Sequence, residues 1–160
     1  MELDDIDRRI INVLQLDAAK SIQEIGDEVG LTSNPCWRRI RRLEEAGIIV
    51  RRVAVVDAAA VGLSMTAFVR IHTDRHTNDW LKAFKKGVLL IPEIVECYRM
   101  TGDVDYFLKI IVHDIAHYDE VYQRLLNQVP DLKDVTAAFS MERLKGGDGI
   151  DVSTMRRSVK

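Results

Sequence analysis

Cysteine is almost missing from this chain. Cys36 and Cys97 are the only two in 160 residues, and no Cys-x-x-Cys pair occurs, which excludes both a disulfide framework and a cysteine zinc site. Proline is confined to Pro35, Pro92 and Pro130, each of which reads as punctuation at the edge of a helix. No run approaches the ~20 consecutive apolar residues of a membrane span. The opening Met-Glu-Leu-Asp-Asp is acidic, unlike a signal peptide, so the expected location is cytoplasmic and no membrane partner is expected. Positive charge is not in excess either, and a formal net charge of −2 argues against a chain that coats nucleic acid indiscriminately. What remains is 47% hydrophobic and 30% charged, an ordinary globular composition with room for one large domain or two small ones.

Charge is nevertheless segregated. Arg38, Arg39, Arg41, Arg42, Arg51 and Arg52 face only Glu44 and Glu45 locally, a concentration that attracts phosphates and makes binding salt-sensitive. Those arginines follow a recognisable local plan. Ser21 with Glu24 forms a capping box, and Ile22, Ile25 and Val29 give the following helix one apolar stripe. Gly30 ends that helix, and a second begins almost at once, so the spacing predicts a helix-turn-helix over 21–43. Two starts are open for the second helix: Pro35 suits the first helical position and makes Asn34 the cap, whereas Thr32 would cap one turn earlier.

At 3.6 residues per turn, Cys36, Ile40 and Leu43 share a stripe, and Asn34, Arg38 and Arg41 lie roughly 140° to 200° from Cys36. An exposed face with an amide and guanidinium groups carries the donors that phosphates and guanine and adenine edges accept in the major groove. The candidate DNA-contacting residues are therefore Thr32, Ser33, Asn34, Trp37, Arg38, Arg41 and Arg42 on this helix, with Arg51 and Arg52 just beyond it. An arginine-rich solvated face is the plain alternative, but the capped helix and glycine turn that precede it favour double-stranded DNA as the partner.

Asp4 can cap a first helix with Ile6, Ile10, Val13 and Leu14 on one side, so three helices close a small core. Gly47 ends the third, and the β-branched run Ile48 to Val56 reads as a strand or rudimentary wing. From Ser64 the rhythm changes. Met65 to Ile71, Ile94 to Met100, Tyr106 to Val112 and Val135 to Met141 read as strands, with helices from Asn78 and from Asp114 between them. The order is strand-helix-strand-strand-helix-strand, the split βαβ or ferredoxin-like arrangement. The expected fold class is α+β. A winged helix-turn-helix occupies 1–57, a linker 58–63, a ferredoxin-like domain for ligand sensing and oligomerisation 64–142, and a tail without a repeated apolar pattern 143–160. One sheet face would be left bare, with Phe68, Tyr98 or Tyr106 outward, and a second copy is the simplest cover. The tail is expected to be mobile or borrowed by a partner chain.

Taken together, these residues resemble the leucine-responsive/asparagine-synthesis regulator family, Lrp/AsnC, over nearly the whole length. Leu3-Asp4 with Asp7-Arg8 is similar to the family's opening, Gly30-Leu31-Thr32 to its turn, and Arg39-Ile40, Leu43-Glu44 and Gly47-Ile48-Ile49 to its recognition helix and exit. Thr101-Gly102-Asp103 with Asp105 resembles the glycine-aspartate turn of its C-terminal domain. Asn34-Pro35-Cys36-Trp37 looks closest to a branch of cysteine-responsive detoxification regulators. There are two departures: Gly26 stands where alanine is usual, which should loosen the second helix, and Trp37 replaces a small polar residue.

The resemblance implies a homodimer assembling into tetramers or octamers and a small amino acid as effector, with no cofactor. The effector positions it carries over are Met100, Thr101, Gly102, Asp103, Asp105, Thr136, Ala138 and Ser140, at a site between subunits. Backbone N–H groups of a glycine turn can hold a carboxylate and an aspartate an ammonium group, although a plain β-turn explains Gly102-Asp103 equally well. The function expected is a sequence-specific DNA-binding transcriptional regulator tuned by that amino acid. An effector-independent architectural DNA-binding protein and a ferredoxin-like enzyme are the alternatives. For the enzyme, His72, His76, His113, His117 and Cys97 form no metal-ligand or nucleophile-base spacing, so neither a catalytic nor a metal residue is expected.

Overall fold

The computed structural model describes residues 2–146, 149, 150 and 152. They fall into two compact units that divide between Val55 and Val56, and the described residues from Lys145 onward belong with the first.

In the first unit, α1 (Asp5–Leu16), α2 (Ile22–Val29) and α3 (Ser33–Glu45) follow one another. Each start is set by its cap. Asp4 accepts from the Asp7 N–H while the Asp7 carboxylate accepts from the Asp4 N–H, and Ser21 and Glu24 repeat the exchange at α2. Gly30 closes α2 in the left-handed conformation, at φ 76°. Ile10, Ile11 and Leu14 of α1, Ile25 and Val29 of α2, and Cys36, Ile40 and Leu43 of α3 form the core, so Ile11 joins the expected set. Gly26 is no loosening. A Cβ there would stand 2.6 Å from the Leu31 carbonyl oxygen, because the turn folds back so that the Leu31 N–H donates to the Gly26 carbonyl. Only glycine lets the backbone come so near.

The expected strand between Ile48 and Val56 does not form. Among the described residues no strand pairs with it, and Val50, Val53, Val55 and Val56 are exposed. β-branched composition favours extended backbone, but a strand also needs a partner for its N–H and C=O groups, and no hairpin turn returns the chain to supply one. The linker makes a single turn instead, closed by Leu63 N–H to Ala58 and Gly62 N–H to Ala59.

The second unit runs β1 (Met65–His72), α4 (Asn78–Leu89), β2 (Ile94–Arg99), β3 (Tyr106–Val112), α5 (Ile115–Gln128) and β4 (Asp134–Phe139). The sheet is antiparallel in the order β2-β3-β1-β4. Ala67, Val69 and Ile71 of β1 and Tyr106, Leu108, Ile110 and Val112 of β3 pack against Trp80, Phe84 and Val88 of α4 and Val121 and Leu125 of α5. Tyr106 therefore points inward, not outward. Its ring lies 4.1 Å from Phe84, and alternation along β3 leaves it no other side. The far face carries Phe68 stacked on Phe107 at 5.8 Å, exposed Tyr98, and Glu96 bridged to Lys109 at 2.9 Å.

Candidate functional site

Thr32 occupies the cap position of α3 by its backbone, with no side-chain cap bond, which settles the open start in its favour. Pro35 then sits in the first turn, where the N–H it lacks would have had no intrahelical partner. Cys36, Ile40 and Leu43 are buried against α1 and α2. Thr32, Ser33, Asn34, Trp37, Arg38, Arg41 and Arg42 are all exposed, as are Arg51 and Arg52.

Exposure does not make these arginines equivalent. Arg42 Nη2 lies 2.6 Å from Asp7 Oδ2, and Arg39 Nη1 lies 2.8 Å from Asp7 Oδ1 and 2.7 Å from Asp4 Oδ2. The Asp7 side chain is fully buried. Two of the six clustered arginines thus pin α3 onto α1 through one submerged carboxylate, and the free positive charge is smaller than the sequence count implied. Hydrogen bonds that Arg39 donates to Asp4 and Asp7 push its pKa further up, so it stays charged throughout. Arg41 bridges to Glu44 and Glu45, and Arg52 to Glu44. Those contacts are exposed, and pairs of that kind add little stability. Among the described residues Arg38 has no such partner. The sequence reading placed Asp7 only in the family's opening and missed its role in cap and ion pair, although Asp4 and Asp7 stand three apart, the spacing of a capping box.

The second unit divides the expected effector residues. Met100, Thr101, Gly102 and Asp103 form the exposed turn between β2 and β3, with Gly102 at φ 97°. Asp105 is committed elsewhere: its Oδ2 accepts from the Thr73 N–H at 2.9 Å, and its own N–H donates to Ile71. The turn lies at the end of the sheet where Ile71 pairs with Val135. Thr136, opposite Arg70, is next to that end, but Ala138 lies opposite Phe68 and the Ser140 N–H donates to Thr66. Ser140 is thus five residues along β1 from the turn, roughly 17 Å at the rise of a strand. Within one chain, the turn and the far end of β4 do not converge. Arg70, exposed on the bare face between Phe107 and Thr136, was missed because alternation placed it among polar strand residues without a role.

His113 and His117, two of the four histidines, have partners of their own. His117 Nε2 is 3.1 Å from Glu93 Oε1, which Arg124 also contacts at 2.6 Å, and the His113 ring stacks on His117 at 4.2 Å. Burial pushes Glu93 up, but Arg124, its backbone N–H and His117 outweigh that and hold it at about 2. Among the described residues no group of three or more His, Cys, Asp or Glu is arranged to hold a metal ion. Cys36 is buried, and burial raises its thiol pKa, so it is an inert core residue.

Comparison with known proteins finds two family models along the chain. Residues 3–50 match the family model for a winged helix-turn-helix DNA-binding domain, and residues 66–150 that for an Lrp/AsnC ligand binding domain. The chain is 44% identical over 143 residues to the DNA-binding transcriptional activator DecR of Escherichia coli (strain K12), covering 89% of this chain and 94% of that protein. It is 46% identical over 144 residues to the glutamate uptake regulatory protein of Zymomonas mobilis, covering 90% and 87%. Among solved structures, an AsnC family transcriptional regulator from Agrobacterium tumefaciens superimposes with a TM-score of 0.92 at 43% identity, covering 96% of this chain and 100% of that one. A transcriptional regulator from Neisseria meningitidis, in complex with L-Met, follows at TM-score 0.85 and 29% identity over 90% and 93%.

Proposed function

This chain belongs to the Lrp/AsnC family of regulators, and from that premise we propose that it is a sequence-specific transcriptional regulator that reads DNA with α3 and answers to a small amino acid. The observation that carries the reading is the outward row of Asn34, Arg38 and Arg41 on a helix anchored beneath by Cys36, Ile40 and Leu43. Trp37 lies beside that row and Arg51 is exposed beyond the helix, Arg41 and Arg52 exchange glutamate for phosphate on docking, and Arg42 fixes the helix more than it reads the duplex.

For the effector, Asp103 and the N–H groups of the 100–103 turn offer a carboxylate and a nest of donors, the complement of an ammonium group and a carboxylate. Arg70 adds a cation on the same bare face as Thr136. Asp105 shapes the turn instead of meeting the ligand. Ala138 and Ser140 reach the turn only from a second copy, whose sheet would also cover Phe68, Phe107 and Tyr98; this supports a homodimer as the minimal sensing unit, with tetramers or octamers built from it. The Neisseria meningitidis regulator was solved in complex with L-Met, which supports an amino acid as the class of effector. No helix among the described residues is long and apolar enough to cross a membrane, in keeping with a cytoplasmic site of action.

Gel shifts on the DNA upstream of the protein's own gene test the reading. Wild type is expected to bind and an Arg38→Ala/Arg41→Ala variant to lose affinity. Unchanged binding by that variant would remove α3 as the reading element. A thermal-shift panel over the protein amino acids tests the second half, because a ligand that binds only the folded chain must raise the melting temperature.

A further inference from the structure

The first unit contains an open cleft of about 820 Å3 between α1 and the chain that leaves α3, walled in part by Leu3, Ile11, Leu14, Ile49 and Val53. Ile150 and Val152, from the far end of the chain, form another part of its wall. Val152 is 3% exposed and belongs to the same buried cluster as Ile10, Ile11 and Leu14. The Gln15 side-chain amide grips the backbone of Ile150 at both ends: Nε2 donates to the Ile150 carbonyl at 3.0 Å, and Oε1 accepts from the Ile150 N–H at 2.7 Å. Gly149 makes the approach possible, since a Cβ there would stand 2.9 Å from Gln15 Oε1.

We propose that Gly149, Ile150 and Val152 form a latch that packs against α1 at the wall of this cleft in its own chain, and that α3 is held ready for DNA only while the latch is closed. The inference rests on the DNA-binding reading above. The chain reaches Gly149 from β4, so the sensing unit is tied to the reading unit by a second covalent connection in addition to the stretch that begins at Val56. Gln15 and Leu14 lie in the last turns of α1, and α1 is the helix to which Asp7 pins Arg39 and Arg42 of α3. Seating the latch therefore braces the surface on which the reading helix is mounted. One bidentate amide contact and one buried valine form a contact that a modest bias in the sensing unit is able to close or release.

The test uses the full chain. In a Cys97→Ser background, Gln15→Cys with Gly149→Cys places the two Cβ atoms 3.2 Å apart by the present geometry, a few tenths of an ångström inside the usual disulfide span of about 3.5–4.5 Å. Oxidation is expected to give an intrachain link, seen as a monomer on a denaturing gel, with DNA affinity retained. Covalent dimers would overturn the latch, showing that α1 is met by the tail of a second copy. Val152→Asp is expected to weaken DNA binding about tenfold, the loss of roughly one buried methyl-bearing side chain, and to speed amide exchange along α1 while leaving that of β1 and β3 unchanged. Gln15→Ala, which spares the core, is expected to do the same to a smaller degree. Wild-type exchange and affinity in both variants would overturn the proposal. Failure of the wild type to bind any DNA would sink the DNA-binding reading, whereas the crosslink and the exchange speak to the latch alone.

Discussion

Replacing Asp7 by alanine removes the single carboxylate on which two guanidinium groups of the reading helix converge. The Asp7 side chain is fully buried, while those of Arg39 and Arg42 are 26% and 49% exposed. Breaking a buried ion pair from one side costs about 3–5 kcal/mol, and here the lower end applies because both arginines can turn to water and Arg39 keeps Asp4. The Asp4 N–H also loses its acceptor, half of the capping box that starts α1. A unit of this size has a stability of only about 3–8 kcal/mol, so the substitution should remove about half of it or more. Asp7→Asn keeps an oxygen for the cap and should cost less. The two tryptophans make the assay simple, since Trp37 lies in the reading unit and Trp80 in the sensing unit. Urea unfolding followed at Trp37 in a Trp80→Phe background should show the midpoint falling steeply for Asp7→Ala and less for Asp7→Asn. A loss under about 0.5 kcal/mol, within the range of an ordinary surface substitution, would refute the role assigned to the buried carboxylate.

Gly26→Ala should destabilise the same unit by roughly 1–3 kcal/mol, the usual cost of overpacking, although alanine is the better helix former. A rise in the Trp37 midpoint would show that the turn yields. In the sensing unit, Glu93 is held at about 2 against an ordinary value of 4.5. Its folded pKa is depressed, so its stabilisation is complete above the unfolded value and fades as pH falls from 4.5 toward 2. The amount at stake is on the order of 3 kcal/mol at most. Urea melts read at Trp80 should find wild type ahead of Glu93→Gln near neutrality and the gap closing in acid; a gap constant with pH would contradict the assignment.

The architecture was legible because its signals are local. The Ser21 and Glu24 box, the left-handed Gly30, the stripe of Cys36, Ile40 and Leu43 and the strict alternation of Met65 to Ile71 each act within a few residues, and each is where the sequence placed it. Misreadings arose where a distant partner decides the outcome. Ile48 to Val56 has strand composition but no strand to pair with among the described residues. Tyr106 was expected among the outward aromatics, but the pairing of β3 with β1 turns it inward. Arg42 lies on the outward half of α3 by periodicity, yet an aspartate 35 positions earlier turns its guanidinium to α1. The same limit hid Gln15 and Val152, because a lone glutamine at a helix end and a valine in a glycine-rich tail give no periodic signal. It also hid the division of the effector residues, since register, not spacing along the chain, sets how far Ser140 stands from Gly102.

The salt dependence of DNA affinity tests the central claim most directly. Each phosphate neutralised by an arginine contributes about 0.9 to the slope of log affinity against log salt concentration. Binding to the upstream DNA should therefore weaken steeply with salt for wild type. The slope should fall by roughly two for Arg38→Ala/Arg41→Ala, and stay close to wild type for Arg42→Ala measured where that variant is still folded. A slope unchanged in the double variant, or a loss confined to Arg42→Ala, would mean that another surface meets the duplex.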